Sequence, residues 1–309
     1  MCIRDSFYAV ALVISGLVQV AFLPFMSRFL TAAQAGELGT LRILSEAIAG
    51  IVVLGLPTAL IRAWQRVENR RAVLRRGLLL PVVPALIMAL LVYLLRGSLE
   101  TWVHLHHSQY LIHALLLGIG VAYVQICLSF PRAAGMPGSY LVFQVLRGAA
   151  SLCVLGLFLF ILSKDSIASF LSARWIPSII MASAAAFMMW RRSASTASLP
   201  APAGLTKEVL GFSLPLIPAA LSMIVLSSAD MFMLRNMYPD LAESGYYEWA
   251  SRACLVLMPM IMGFNMAWKR FIFRKRKTGG TLAELGRSGL LYMVLVNWAA
   301  LILAMLAPI

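Results

Sequence analysis

The chain has 309 residues, 61% of them hydrophobic and 12% charged, with 26 Lys and Arg against 12 Asp and Glu for a net charge of +14, and its mean hydropathy is +0.87. That much apolar surface exceeds what one water-soluble core can hide, which excludes an ordinary soluble domain and makes lipid the expected solvent. A strongly basic soluble protein would point to nucleic acid, but here the basic residues sit between apolar runs and follow the rule for membrane loops.

A hydrocarbon layer about 30 Å thick takes roughly 20 helical residues. Runs of that length predict nine membrane-spanning helices, at 7–30, 39–63, 77–95, 109–130, 140–162, 171–190, 209–235, 245–268 and 288–307. The alternating pattern of membrane strands is absent. The opening Met1-Cys2-Ile3-Arg4-Asp5-Ser6 does not read as a secretory signal, because the apolar run after it is long enough to span, and it is expected to be foreign to the natural N-terminus. At the other end Ala307-Pro308-Ile309 follows an apolar run with no polar tail, so a longer parent chain is expected.

With a cytoplasmic N-terminus, the inner connections carry Arg66, Arg70, Arg71, Arg75, Arg76, Arg132, Arg191, Arg192, Lys207, Lys269, Arg270, Arg274, Lys275, Arg276, Lys277 and Arg287. The outer ones hold only Arg96 and Lys164. This asymmetry predicts the orientation and removes the main support for a nucleic-acid partner. The Ser, Pro, Ala and Gly of 193–208 read as a cytoplasmic linker, dividing a six-helix lobe at 1–192 from the start of a second lobe at 209–309. A faint internal echo accompanies that division. Ala35-Gly36 with Arg42 opens the second span much as Ser244-Gly245 with Arg252 opens the eighth, and repeated halves are common in transporters.

Arginines within or at the ends of spans are the most informative residues: Arg28, Arg42, Arg62, Arg147, Arg174, Arg235 and Arg252. An Arg facing lipid at the bilayer centre costs roughly 2.5–3.5 kcal/mol, so several together must face protein or water. Arg28, Arg62, Arg174 and Arg235 lie within a turn or so of a predicted boundary, where snorkelling to the interface competes with a buried role. Arg147 and Arg252 lie deeper and lead the candidate set for binding an anionic substrate, followed by Arg42, Arg28, Arg62 and Arg235.

The carboxylates within spans are Glu46, Asp230 and Glu248. Glu46 follows Arg42, and Arg252 follows Glu248, by four residues, so each pair shares a helix face and can neutralise itself, a reading as strong as an ion site. Asp230 has no such neighbour on its face and is the first candidate for coupling to a proton or sodium ion, with Glu46 and Glu248 behind it. His104, His106, His107 and His113 cluster in an outer connection with Trp102 and Tyr110. No Cys and only Glu100 accompany them, so an interfacial loop is expected rather than a metal site. Pro24, Pro57, Pro81, Pro84, Pro177, Pro215, Pro218 and Pro259 predict kinks. No phosphate-binding loop, catalytic triad or zinc-protease motif is present, so neither an enzyme nor a bound cofactor is expected.

Two stretches carry a family resemblance. The first is FLPFMSRFLTAAQAGELGTLRILSEAIAGIVVLGLPTALIR at 22–62, with Pro24, Gly36-Glu37, Leu54-Gly55-Leu56 and Arg62. The second is FSLPLIPAALSMIVLSSADMFMLRNMYPDLAESGYYEWASRACLVLMPMIMGFNMAWKRFIF at 212–273, with Pro215, Asp230, Gly245-Tyr246-Tyr247 and Trp268. Together they cover about a third of the chain and resemble the polysaccharide-biosynthesis membrane proteins, O-antigen-type flippases of the MOP superfamily that also holds the MATE exporters. One departure is Met231, where the family usually has Arg after its Asp. The resemblance implies an all-α, MATE-like bundle of twelve or fourteen helices in two lobes, of which the nine here form the first lobe and part of the second. It further implies passage of an undecaprenyl-pyrophosphate-linked glycan from the inner to the outer leaflet of a bacterial plasma membrane by alternating access. The expected partners are that lipid-linked oligosaccharide, membrane lipid and other polysaccharide-assembly proteins. Competing readings are a MATE-type cation-coupled multidrug exporter, which should prefer carboxylates in its cavity, and a membrane-embedded glycan polymerase or ligase, which needs a larger outer loop. A non-transporting scaffold is a further alternative.

Overall fold

A computed structural model of the chain describes residues 20–103, 107–161, 166–196, 204–237 and 241–254, with isolated positions at 10–18, 200 and 290–301. Twelve α-helices follow one another among them: α1 (Leu23–Phe29), α2 (Ala32–Val53), α3 (Leu56–Arg66), α4 (Arg70–Leu79), α5 (Val82–Leu94), α6 (Arg96–Val103), α7 (Gln109–Ala133), α8 (Pro137–Gly156), α9 (Ser166–Arg192), α10 (Leu205–Ser213), α11 (Ile217–Met237) and α12 (Leu241–Cys254). The described residues contain no strand. Six stretches are long and apolar enough to cross a membrane: Ala32–Arg66, Arg70–Leu94, Gln109–Ala133, Pro137–Phe160, Ser166–Arg192 and Leu205–Leu226. The molecule is a multi-pass membrane protein. Of the remaining predicted spans, 7–30 is described in part, 245–268 only to Cys254, and 288–307 at isolated positions.

Local chemistry shifts several predicted boundaries. The second span begins at Ala32, not 39, because Thr31 forms a capping box: its hydroxyl accepts the Gln34 amide at 3.3 Å, and Gln34 Oε1 accepts the Thr31 amide at 3.0 Å. It then breaks between α2 and α3, where Leu54 and Gly55 take φ of 49° and 66°. Gly55 is needed twice over, since a Cβ there would also lie 2.9 Å from the Ser213 carbonyl oxygen at the end of α10. The third span reaches back to Arg70, so Arg70, Arg71, Arg75 and Arg76 are helical rather than loop residues. Prolines mostly start helices instead of bending them: Pro24, Pro57 and Pro137 sit in first turns, Pro81 caps α5, and Pro215 lies in a 3₁₀ turn between α10 and α11. Pro177 and Pro131 are the interior ones among the described helices. Pro259 lies outside the described residues.

Helix α7 is the centre of the bundle and packs against α2, α3, α8 and α9. One apolar cluster joins Phe22, Met26, Leu41, Leu117, Leu155 and Phe170; another, toward the opposite end, joins Leu60, Trp64, Leu74, Phe130, Leu205 and Val209. Leu205 and Val209 pack on α3, and their helix starts at Leu205, within the stretch 193–208. On the outside, Leu86, Leu90 and Leu94 of α5 are more than half exposed, a surface suited to acyl chains rather than water. One end of the bundle is basic, with Arg70 over Trp64, Arg71 over Trp190 and Arg191 over Phe187 at 5.7, 4.4 and 4.7 Å from the ring centroids.

Candidate functional site

The two echoing segments of the sequence meet face to face. Helix α12 lies so close to the start of α2 that a Cβ on Gly245 would fall 1.7 Å from the Ala32 carbonyl oxygen, so only glycine permits the approach. One turn further along α12, Glu248 is 1% exposed and is shared by two guanidinium groups. Arg42 Nε donates to Glu248 Oε1 at 3.2 Å and Arg42 Nη2 to Oε2 at 3.1 Å, a fork-to-fork contact between α2 and α12. Arg252 Nε donates to Glu248 Oε1 at 2.8 Å from the next turn of the same helix. Arg42 Nη1 also donates to Glu46 Oε1 at 2.8 Å. The two local pairs expected from spacing are therefore links of one network of four charges, joined by the contact from Arg42 to Glu248.

Beside the network lies a cavity of about 410 Å³ among α2, α7, α8 and α9, with Arg42, Glu46, Arg132, Gln144, Arg147 and Arg174 on its wall. It adjoins a smaller one of about 80 Å³ that reaches Arg252 and shares Gln144, Arg147 and Arg174. Five arginines thus line the two compartments, against Glu46 on the wall and Glu248 behind it. No carboxylate among the described residues pairs with Arg147 or Arg174. Depth explains why Arg174 matters although its sequence position suggests an interfacial residue. Because α9 begins at Ser166 and not near 171, Arg174 sits two turns inside the helix, roughly 12 Å from its start at 1.5 Å per residue, and lines both compartments. An arginine at such depth is tolerated only where it faces protein or water.

No protein-family model and no curated protein sequence matches the chain. Solved structures do. The chain superposes with a TM-score of 0.54 on an outward-facing multidrug resistance MATE family transporter of the MOP superfamily, at 14% identity over 86% of this chain and 68% of that one. It superposes with a TM-score of 0.57 on a MATE protein solved in complex with Br-NRF, at 15% identity over 96% of this chain and 75% of that one. The fold is MATE-like.

In this MATE-like bundle the other predicted residues fall in several places. Arg28 is exposed, 6.0 Å from the Phe29 ring, and Arg62 is exposed over Phe212 at 4.7 Å in a separate groove with Glu208; neither borders the arginine-lined cavities. Arg235 lies on α11 with its side chain outside the described residues. Asp230 is exposed on α11, away from both compartments, and accepts a hydrogen bond from the Tyr247 hydroxyl of α12. Among the described residues its side-chain partner is thus a phenol from the Gly245-Tyr246-Tyr247 landmark. His113 Nδ1 accepts from Trp175 Nε1 at 3.2 Å, and the His107 ring packs edge-on against Tyr110 at 5.6 Å; His104 and His106 lie outside the described residues. Among the described residues no three His, Cys, Asp or Glu side chains are placed to hold a metal ion.

Proposed function

We propose that the chain belongs to a flippase that moves a polyprenyl-pyrophosphate-linked oligosaccharide from the inner to the outer leaflet of a bacterial plasma membrane by alternating access, with the N-terminus and the basic end cytoplasmic. The observation that carries this reading is the sign of the cavity: Arg42, Arg132, Arg147, Arg174 and Arg252 against Glu46 and Glu248. A pyrophosphate is a multiply charged anion, and guanidinium groups offer it fixed, paired N–H donors in a site partly withdrawn from water. A cavity for organic cations needs the opposite excess. Arg147 meets the headgroup directly, whereas Arg252 and Arg42 are oriented toward it by Glu248. For coupling to protons or sodium, Glu46 is the carboxylate that borders the larger compartment; Glu248 is occupied by two arginines, and Asp230 stands apart.

The multidrug-exporter reading is favoured by the solved structures that share the fold, one of which is described as a multidrug resistance transporter. The two readings separate in one experiment. The parent protein, carrying Arg147→Gln or Arg252→Gln, is introduced into a host lacking its own lipid-linked oligosaccharide flippase. We expect wild type to restore surface glycan and each variant to reduce it at least about tenfold, equivalent to about 1.4 kcal/mol of binding. Undiminished glycan in both variants, or resistance to cationic drugs without glycan export, refutes the anionic-cargo reading.

A further inference from the structure

The two adjoining compartments differ in size and in what lines them. The smaller, about 80 Å³, is bounded by Arg147 from α8, Arg174 from α9 and Arg252 from α12, with Gln144, Ser151 and Ser178 as uncharged polar neighbours. It is the narrower of the two, and both share Arg147, Arg174 and Gln144. The larger, about 410 Å³, carries Tyr140, Gln125, Ser45 and Glu46 beside its arginines, a mixture of donors and acceptors suited to hydroxyl groups. Among the described residues, Arg252 is the one of these three arginines within salt-bridge distance of a carboxylate, Glu248. Arg147 and Arg174 arrive from separate helices with no described anion between them, and like charges brought together away from bulk water favour the binding of one.

We propose that Arg147, Arg174 and Arg252 form a seat for a phosphate group where the two compartments adjoin, with Arg174 its third wall. This rests on reading the cavity as the cargo site. The occupant is defined by its chemistry: a phosphate carrying two negative oxygens that a pair of guanidinium forks can grip. Arg174 is a binding residue that neither the predicted span boundaries nor the family landmarks single out.

The test uses the parent protein purified in detergent and titrated with inorganic pyrophosphate and with short-chain phosphatidylglycerol, in wild type, Arg174→Gln, Arg174→Lys and Arg62→Gln. Pyrophosphate binding should fall at least tenfold in Arg174→Gln, less in Arg174→Lys, which keeps the charge without the fork, and not at all in Arg62→Gln, outside both compartments. Size-exclusion profiles identify any variant that fails to fold, and Arg174→Lys then carries the comparison. Whichever probe loses more affinity on Arg174→Gln names the source of the phosphate, an isoprenyl carrier or a phospholipid headgroup. Pyrophosphate binding unchanged in Arg174→Gln overturns the seat. A proteoliposome flipping assay with lipid-linked oligosaccharide separates this from the cargo reading: lost pyrophosphate binding with intact flipping keeps the seat and removes the cargo, whereas intact pyrophosphate binding with flipping lost in Arg147→Gln does the reverse.

Discussion

Two pairs of arginines reach the same cavity under different electrostatic conditions. Arg42 and Arg252 share the buried carboxylate of Glu248 at 2.8–3.2 Å, while Arg147 and Arg174, on α8 and α9, have no carboxylate partner among the described residues. The first pair is held in place by the protein. The second pair shares the larger compartment with Glu46 but is bonded to no described carboxylate, which makes α8 and α9 the side of the cavity where an external ligand gains most. A buried ion pair is weak evidence for stability on its own, yet removing one member of it is costly, and that asymmetry tells the two pairs apart.

The largest effect is expected at Glu248. Glu248→Ala leaves Arg252 without its carboxylate and Arg42 with Glu46 alone, at a position that is 1% exposed, and should destabilise the folded protein by about 3–5 kcal/mol. Unfolding of the purified protein in detergent measures it. Arg147→Gln makes the contrast sharper: it removes a half-buried charge that pairs with no described carboxylate, so the unfolding midpoint should stay level or rise while transport falls. Equal destabilisation by the two substitutions would erase the distinction between held and unheld arginines.

How much of this was legible in the sequence depends on the range of the contact. Membrane spans follow from apolar run length, and the local pairs Arg42 with Glu46 and Glu248 with Arg252 follow from a spacing of four residues, because both are properties of a single helix. The link from Arg42 to Glu248 crosses 206 positions, and no periodicity reports which face of α2 meets α12. The echo between the two segments was visible, but that the echoing segments touch is a tertiary fact. Arg174 is hard to read for a different reason: position along a span does not tell which neighbours its helix face meets, and only the packing of α9 puts it on the cavity wall. Arg28 and Arg62 show the opposite limit, since length alone puts them near a span end without saying whether they turn toward the cavity or the outer surface.

A second way to break the comparison leaves every charge in place and moves the helices. Gly245→Ala sets a methyl group 1.7 Å from the Ala32 carbonyl oxygen, and backbone cannot yield as a side chain can. Helix α12 must shift away from α2, stretching the fork between Arg42 and Glu248. We expect a loss of about 1–3 kcal/mol, the usual range for overpacking. If Glu248 organises the paired arginines, combining Gly245→Ala with Glu248→Ala should cost less than the two losses added, because contacting residues couple. Strict additivity in the double-mutant cycle would show that close approach and ion pairing act independently.

The smallest effect belongs to Glu46, although it too accepts a hydrogen bond from Arg42, at 2.8 Å. Its side chain is 42% exposed, so water in the larger compartment screens the pair, and Arg42 keeps both bonds to Glu248 when Glu46 is neutralised. Glu46→Gln should therefore change stability by no more than about 0.5 kcal/mol, the scale of a solvated pair four residues apart on a helix. Its transport phenotype is the informative quantity. An unchanged rate at every pH removes Glu46 from the coupling mechanism, whereas a rate that loses its dependence on the proton gradient while stability holds assigns the coupling proton to the carboxylate at the cavity wall. Burial, and not the length of the hydrogen bond, separates the two glutamates that Arg42 holds: one fixes the contact between helices, and the other is open to exchange with the compartment.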